Sequence, residues 1–260
     1  YDGMVRLTGA LPIHVPVRRD NYHPDFDALE AHVTENTKAI ILNTPNNPTG
    51  AVYTAEETKR LVDFAVKHDL WILDDMIYST LVWTDVGYTS PCAFEGGSER
   101  TITIGGWSKG WAMTGWRLGW ITGPSNVMDG VKVVNVSSAT HVPTFLMPAA
   151  AKALSLKEEV QEMKDAFAER RVLMHQGLSS LPGFVVPEPE GAFYILCDIT
   201  GTGLTDIEFA HQALEHAQVQ VIPGSLMKGG DGLIRISYAT SIANIHEGVR
   251  RLREWLESRS

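Results

Sequence analysis

Residues 104–120, which read IGGWSKGWAMTGWRLGW, are the stretch from which the rest of the chain is interpreted. The short apolar run 101–104 predicts a buried strand that ends at a pair of glycines. Lys109 follows in a glycine-spaced loop that contains four of the seven tryptophans. An amine held among apolar rings is partly desolvated, which favours its neutral and nucleophilic form. The pattern predicts a reactive lysine, and a solvated Ser-Lys pair on the surface is the ordinary alternative.

Arg117 lies eight residues after this lysine in the same loop. Its planar guanidinium offers several N–H donors in a fixed geometry that matches a phosphate or a carboxylate. An anion-binding role for Arg117 is therefore the second prediction from this stretch.

Composition limits the classes of protein to which the chain can belong. The 260 residues are 44% hydrophobic and 20% charged, which predicts a soluble globular protein with a substantial core, as one large domain or two smaller ones. The net charge of −9 argues against nucleic acid as a partner. No apolar run is long enough for a membrane span, so no membrane partner is expected.

The cysteines and histidines give no metal-binding pattern. Cys92 and Cys197 are far apart, and the nine histidines are scattered without a paired spacing. Neither a zinc site nor a disulfide framework is expected, and a reducing, cytoplasmic compartment is predicted.

Strands and helices alternate before the lysine loop. The apolar run 38–43 predicts a strand buried on both faces, and the run 70–73 predicts a second strand. Between them, Thr54 to Glu57 form a capping box, which predicts the start of a helix. This order is typical of an open α/β sheet.

Polar loops follow each of the predicted strands. Asn47, Asp75 and Lys109 lie in three such loops. Ligands of open α/β sheets bind outside the carboxyl ends of the strands, so we expect these three loops to converge.

Other segments give coarser predictions. Residues 3–17 alternate in part and are interrupted by prolines, which predicts short strands, whereas residues 25–33 predict an amphipathic helix. After residue 123 the pattern predicts a smaller α+β unit. Its elements are a largely helical stretch over 149–181, strands over 192–198, 219–222 and 233–238, and helices over 206–217 and 242–258.

The motif Ser-Lys-x-x-x-Met-Thr-Gly-Trp-Arg-Leu-Gly at residues 108–119 resembles the lysine motif of class I/II aminotransferases. These are fold-type-I enzymes that use pyridoxal 5′-phosphate (PLP). The resemblance runs from Tyr1 to the last predicted helix. It implies an α/β fold with a large domain, whose mostly parallel sheet lies between helices, and a smaller C-terminal α+β domain. We place these domains at residues 1–160 and 161–260.

The same resemblance implies roles for residues around the cofactor. Lys109 would form a Schiff base with PLP, and Asp75 would pair with the pyridine nitrogen. Tyr78 and Asn47 would contact the phenolate oxygen of the cofactor. From the residues alone, an aspartate that caps the following helix and an ordinary Asn-Pro turn are the alternatives.

Phosphate and substrate contacts are implied in the same way. Arg117 matches the phosphate-binding arginine of the family, and Ser108 is a second phosphate contact. Many relatives have a serine three residues before the lysine, where this chain has Gly106, so the phosphate site is only partly assigned. Arg235, in the apolar run 233–238, matches the residue that binds the substrate α-carboxylate. An edge-strand arginine that faces water is the alternative.

The resemblance implies an aminotransferase that moves an amino group from an L-amino acid to a 2-keto acid. Lys109 would carry the proton between Cα of the substrate and the cofactor. A homodimer is expected, together with an N-terminal portion that precedes Tyr1 in relatives. No arginine lies between Lys132 and Pro148, which favours neutral or aromatic substrates. A PLP-dependent lyase and a catalytically inactive PLP-fold module are the alternatives.

Overall fold

A four-stranded sheet carries the loops of interest. The computed structural model describes residues 1–259. The strands are β1 (Ala39–Asn43), β2 (Trp71–Asp75), β3 (Thr101–Gly106) and β4 (Gly119–Thr122), in the spatial order β1-β2-β3-β4. The first three are parallel, and β4 pairs with β3 in the antiparallel direction. This arrangement confirms the strands predicted over 38–43, 70–73 and 101–104.

The register of the parallel strands aligns their carboxyl ends. Asn43 is paired with Asp75, and Asp75 is paired with Ile104. The loops after β1, β2 and β3 therefore leave the sheet at the same edge. The prediction that β1 is buried on both faces holds only at its carboxyl end, where Leu42 and Asn43 point to opposite faces and are buried, whereas its first residue, Ala39, is exposed.

Two helices cover this sheet where the sequence predicts them. The helix α2 (Phe26–His32) begins at Asp25, whose side chain accepts a hydrogen bond from the N–H of Ala28. The helix α3 (Ala55–Lys67) begins with the predicted capping box. The apolar side of α3 packs with the strands in one core, which includes Leu42, Leu61, Val62, Ala65 and Ile72.

The prediction of short strands over residues 3–17 was wrong. Residues Asp2–Leu7 form a short helix, α1, and the described residues 8–17 make one strand-like contact, the bridge between Val17 and Pro24. The helix is held by an ion pair of 2.7 Å between the side chains of Asp2 and Arg6. Leu7 is exposed, so the apolar alternation in this segment does not mark a buried face.

A second, three-stranded sheet forms the smaller unit. Its strands are β5 (Tyr194–Asp198), β6 (Ile222–Pro223) and β7 (Leu233–Ser237), and β7 lies in the middle and is antiparallel to both neighbours. The helices α6 (Lys157–Ser179), α7 (Asp206–Ala217) and α8 (Ile242–Ser258) pack with it. Their shared core includes Leu178, Phe209, Ile234, Leu252 and Trp255.

Two helices join the two sheets. These are α4 (Ser125–Ser138) and α5 (Met147–Ala153). The long helical stretch predicted over 149–181 is divided between α5 and α6, since the chain leaves the helical path at 154–156 and Ser155 Oγ bonds to the carbonyl of Lys152. The predicted domain boundary at residue 160 falls inside α6 and stays a prediction. No helix among residues 1–259 is long and apolar enough to cross a membrane.

The segment just before β5 connects the small sheet to the large one. Both Glu190 and Gly191 donate their backbone N–H groups to the carbonyl of Gly50, over 3.0 and 2.8 Å. Ala192 donates to the carbonyl of Leu81 on the other side. As a result, β5 begins beside the loops that leave the large sheet.

Candidate active site

Glycines let the lysine loop lie close to its neighbours. A Cβ atom on Gly105 would lie 2.3 Å from Cζ2 of Trp120, and one on Gly110 would lie 2.1 Å from Oγ1 of Thr80. Any side chain at these two positions would force the neighbours apart. The backbone on both sides of Lys109 is therefore pressed against β4 and against the segment that follows β2.

The amine of Lys109 lies beside aromatic rings. Its Nζ is 5.9 Å from the ring centroid of Tyr78 and 5.7 Å from that of Phe193. Both distances fall within the range of a cation–π contact. The amine is thus held among rings, as expected, but these rings come from two other segments and not from the tryptophans of the lysine loop, of which Trp107 and Trp111 pack on each other with centroids 6.5 Å apart.

Asp75 ends β2 and is held by three polar groups. Its Oδ2 accepts a hydrogen bond from the hydroxyl of Tyr1, and its Oδ1 accepts one of 3.2 Å from the N–H of Ile77. The side chain of Asn43 donates to its carbonyl over 3.1 Å. The alternative that Asp75 caps a helix does not hold, since a turn and not a helix follows β2.

Tyr78 places a buried hydroxyl close to this carboxylate. Its side chain is only 4% exposed, and its hydroxyl lies 3.2 Å from the hydroxyl of Tyr194. Burial raises the pKa of Tyr78, and the Tyr194 hydroxyl and the Asp75 charge raise it further, while the charge of Arg235 acts in the opposite direction. Tyr78 is therefore neutral and can donate its proton in a hydrogen bond.

Arg235 bridges the two sheets. Its Nη1 donates to Oδ1 of Asn47 over 2.9 Å, and its guanidinium carbon is 4.8 Å from the ring centroid of Tyr194. It belongs to the central strand β7 and is half-buried, so the alternative of an edge arginine facing water does not hold. Asn47 is fixed in turn by a bond of 2.9 Å from its N–H to Oδ1 of Asn43.

Ser108 and Arg117 are not joined to this cluster by the contacts described for residues 1–259. Arg117 is exposed in a left-handed conformation, and its guanidinium donates to the carbonyl of Thr114 over 3.0 Å. Ser108 is half-buried. At Gly106 a Cβ would lie 2.9 Å from the carbonyl oxygen of Leu118, so the pairing of β3 with β4 leaves little room for a serine there. The phosphate-binding roles of Ser108 and Arg117 stay predictions.

Four residues of this cluster were not assigned to the site from sequence. They are Tyr1, Asn43, Phe193 and Tyr194. The sequence offered one weak signal, an asparagine at the end of the apolar run of β1. The aromatic pair 193–194 gives no such signal, because no local pattern shows that its rings contact a lysine more than eighty residues earlier in the chain.

The model of the family "Aminotransferase class I and II" matches residues 1–252. An aspartate aminotransferase of Pyrococcus abyssi is 40% identical over 264 aligned positions, which cover 100% of this chain and 68% of that protein. An aromatic-amino-acid aminotransferase 2 of Thermococcus litoralis has the same identity and coverage.

Solved structures show the same relationship. The aromatic aminotransferase of Pyrococcus horikoshii superposes with a TM-score of 0.96 at 39% identity, covering 100% of this chain and 70% of that one. The aspartate aminotransferase of Thermus thermophilus with maleate gives a TM-score of 0.92 at 34% identity, covering 98% of this chain and 66% of that one. The chain belongs to the class I and II aminotransferases and has their fold-type-I architecture. As a transaminase, it transfers an amino group between an amino acid and a keto acid.

Proposed function

We propose that the cluster around Lys109 is the catalytic centre of this aminotransferase and that it binds PLP. The observation that supports this most is the meeting of separate segments at one place. The amine of Lys109 lies near Tyr78, Tyr78 contacts Tyr194, and Arg235 lies over Tyr194 and binds Asn47.

The chemistry of these groups fits the cofactor. When bound, PLP supplies an aldehyde that captures amino groups and a ring that accepts the electron pair released at the substrate Cα. The site offers an amine for the aldehyde, a carboxylate for the ring nitrogen, and a phenol and an amide as donors. Within the described part of this cluster, Nε of Arg235 is a buried donor without a partner, so the site can donate a further hydrogen bond.

Each residue then has a defined task. Asp75 would keep the ring nitrogen protonated by charge pairing. Tyr78 and Asn47 would donate to the phenolate oxygen. Arg117 and Ser108 are proposed for the phosphate on the resemblance of their motif, and Arg117 would have to turn from its present contact with Thr114.

Substrate handling is proposed for two side chains. Arg235 would bind the α-carboxylate of the amino acid with two parallel N–H donors. The Nζ atom of Lys109 would take the proton from Cα and return it to the cofactor side, acting first as base and then as acid. The rings of Tyr78 and Phe193 beside this amine exclude water from its path.

The substrate side chain is a narrower proposal. Two of the relatives are named for aspartate and for aromatic amino acids. The absence of arginine between residues 132 and 148 supports neutral or aromatic substrates for this chain.

A homodimer and a cytoplasmic location are also proposed. The dimer is supported by exposed apolar side chains on α4 and after it, which a second copy would cover. They are Val133, Val134, Val136 and Phe145. The location is supported by the two unpaired cysteines, Cys92 and Cys197.

The experiment that tests the catalytic centre compares the wild-type chain with Lys109→Ala and with the control Lys132→Ala. Lys132 is an exposed lysine that pairs with Asp129. We expect the wild type and the control to show, after addition of PLP, a visible absorbance band that bleaches with L-aspartate or L-phenylalanine. Lys109→Ala should show no such band.

The outcomes separate the alternatives. A band that persists in Lys109→Ala would show that another amine holds the cofactor and would overturn the assignment. Release of a keto acid, followed by amination of an added second keto acid, supports transamination. Elimination products without that second step would identify a lyase instead.

A further inference from the structure

The strongest unassigned cluster of charged groups surrounds His23. This histidine is 6% exposed and lies between two carboxylates. Its Nδ1 is 2.7 Å from Oε2 of Glu57, and its Nε2 is 3.0 Å from Oε2 of Glu190. The three residues come from the segment before α2, from α3 and from the segment before β5.

Both carboxylate oxygens already accept other hydrogen bonds. Oε2 of Glu57 accepts the N–H and the hydroxyl of Thr54, and Oε2 of Glu190 accepts the N–H of Val52 over 2.8 Å. These oxygens have no proton to offer, so each nitrogen of His23 must donate one. Since a neutral imidazole has a single N–H, the geometry requires the doubly protonated cation.

The charges around His23 support the same protonation state. The hydrogen bond to Glu190 raises the pKa of His23, burial opposes this, and the bond to Glu57 adds to the rise. Burial acts to raise the pKa values of Glu57 and Glu190, but hydrogen bonds from His23 and from the backbone outweigh it and lower both. The other groups facing the cluster are Arg18, 2.8 Å from Oε1 of Glu57, and the neutral ring of Tyr53. With His23 protonated, two positive charges balance two negative ones.

The cluster holds together two segments of the proposed site. Glu190 binds the N–H of Val52 and donates its own N–H to Gly50, in the loop that carries Asn47. Its carbonyl accepts the N–H of Trp83, five residues after Tyr78. Phe193 and Tyr194, which contact Lys109 and Tyr78, follow Glu190 by three and four residues. Any movement of Glu190 is therefore passed to both sides of the site.

We propose that protonated His23 is a positioning residue for transamination. It holds the Glu190 segment against the Asn47 loop and so keeps Asn47 in contact with Arg235, the residue proposed to bind the substrate carboxylate. This rests on the proposed roles of Asn47 and Arg235. Loss of the proton leaves a lone pair of His23 facing a carboxylate oxygen, and it leaves two half-buried carboxylates balanced by Arg18 alone. The folded-state pKa of His23 is raised, so the attachment is complete below the ordinary histidine pKa and is lost as the pH rises through the raised value.

The test compares wild type with His23→Gln and with the control His68→Gln. His68 forms a similar pair with Glu30, 3.1 Å away, on the surface. The readouts are KM and kcat for L-aspartate or L-phenylalanine with 2-oxoglutarate, measured across a pH series with PLP-loaded protein. We expect KM of His23→Gln at neutral pH to be raised roughly tenfold with a smaller change in kcat, as for the loss of one charge-assisted hydrogen bond.

The pH profile distinguishes positioning from a purely structural role. In wild type and His68→Gln, KM should rise as the pH passes the raised pKa of His23, and this rise should be absent in His23→Gln. A rise that persists in His23→Gln, or an unchanged KM, would overturn the proposal. If His23→Gln does not fold, Glu190→Gln replaces it, since this variant keeps the acceptor for Val52 but removes the charge.

An NMR titration of the His23 ring in the wild-type chain gives a second readout that needs no turnover. A pKa at or below the ordinary value for histidine would contradict the inference. Failure of the proposed function would give a different result. The wild type would then turn over no faster than Lys109→Ala, and the catalytic role of the whole cluster would be rejected.

Discussion

Two neighbouring carboxyl groups on β2 have opposite environments. Asp75 ends the strand and is held by Tyr1 and by the N–H of Ile77. Asp74 points to the other face of the sheet, as alternation along a strand requires, and its side chain is fully buried. Burial raises the pKa of Asp74 to about 6, although the hydrogen bond from Tyr88 opposes the rise. A single residue step thus separates the site carboxylate from one that ionises with difficulty.

The first prediction concerns Asp74 and pH. The folded-state pKa of about 6 is above the ordinary aspartate value of 3.8, so the folded protein holds the proton more tightly and loses stability as the pH rises through this interval. Asparagine does not ionise, so Asp74→Asn does not share this loss. We therefore expect the free energy of unfolding of Asp74→Asn minus that of wild type to be about 1 kcal/mol larger at roughly pH 8 than at roughly pH 5. Urea unfolding at both pH values measures this difference. Asp63→Asn on the exposed side of α3 is the control, and an equal difference at both pH values for Asp74→Asn would contradict the prediction.

Arg235 and Asn47 show what a residue-level prediction could and could not provide. An arginine within an apolar strand indicated that a partner must exist, since an unpaired buried charge is costly. The sequence did not identify that partner, because Asn47 lies 188 positions away. Only the packing of the two sheets brings them to hydrogen-bonding distance.

At the scale of elements, α3 and α7 start with the same capping box. In α3 the pair is Thr54 and Glu57, and in α7 it is Thr205 and Glu208. Both pairs satisfy backbone N–H groups at the first turn of a helix. They differ in their surroundings, because Glu57 also binds His23 and Arg18.

The second prediction uses these two helices as a matched pair. We expect Thr205→Ala to lower the free energy of unfolding by about 1 kcal/mol, the usual cost of a lost N-cap. Thr54→Ala should cost more, since the lost hydroxyl donates to Oε2 of Glu57, the carboxylate oxygen that also accepts a hydrogen bond from His23. Urea unfolding of both variants gives the comparison. Equal costs would show that the Glu57 cluster is independent of the cap.

Local signals predicted some elements and missed others for identifiable reasons. Strands β2 and β3 and helix α3 follow from apolar runs and from a capping box, which lie within a few residues of one another. Strand β4 was missed because its residues are mostly exposed and it exists through its pairing with β3. The helix α1 was missed because Val5 and Leu7 alternate as in a strand while they face no core.

At the scale of the whole molecule, the segment 189–192 joins the two sheets. A Cβ atom on Gly191 would lie 2.7 Å from both Pro45 Cβ and Val52 Cγ2, and 2.9 Å from the carbonyl oxygen of Leu81. The crossing is therefore too close for any side chain at this position. By contrast, a Cβ on Gly130 in α4 would meet nothing within 4 Å.

The third prediction follows from this contrast. Gly191→Ala should destabilise the fold by about 1–3 kcal/mol, as overpacking of a close contact does, and should raise KM by displacing Phe193 and Tyr194. Gly130→Ala should be neutral or stabilising by up to about 1 kcal/mol, because alanine is the better helix former. Urea unfolding and steady-state kinetics measure both effects. A Gly191→Ala variant as stable and active as Gly130→Ala would show that the crossing is not tight.

The class of fold, the family and the order of the motifs could be predicted from the chain, because the lysine loop, the Asn-Pro turn and the Asp75 segment are each recognisable from residues close together. Which side chains meet depends on the tertiary structure. The contacts Asn47–Arg235, Tyr78–Tyr194 and His23–Glu190 join residues 188, 116 and 167 positions apart. Such pairs leave no local pattern, since they arise from the docking of one sheet on the loops of the other.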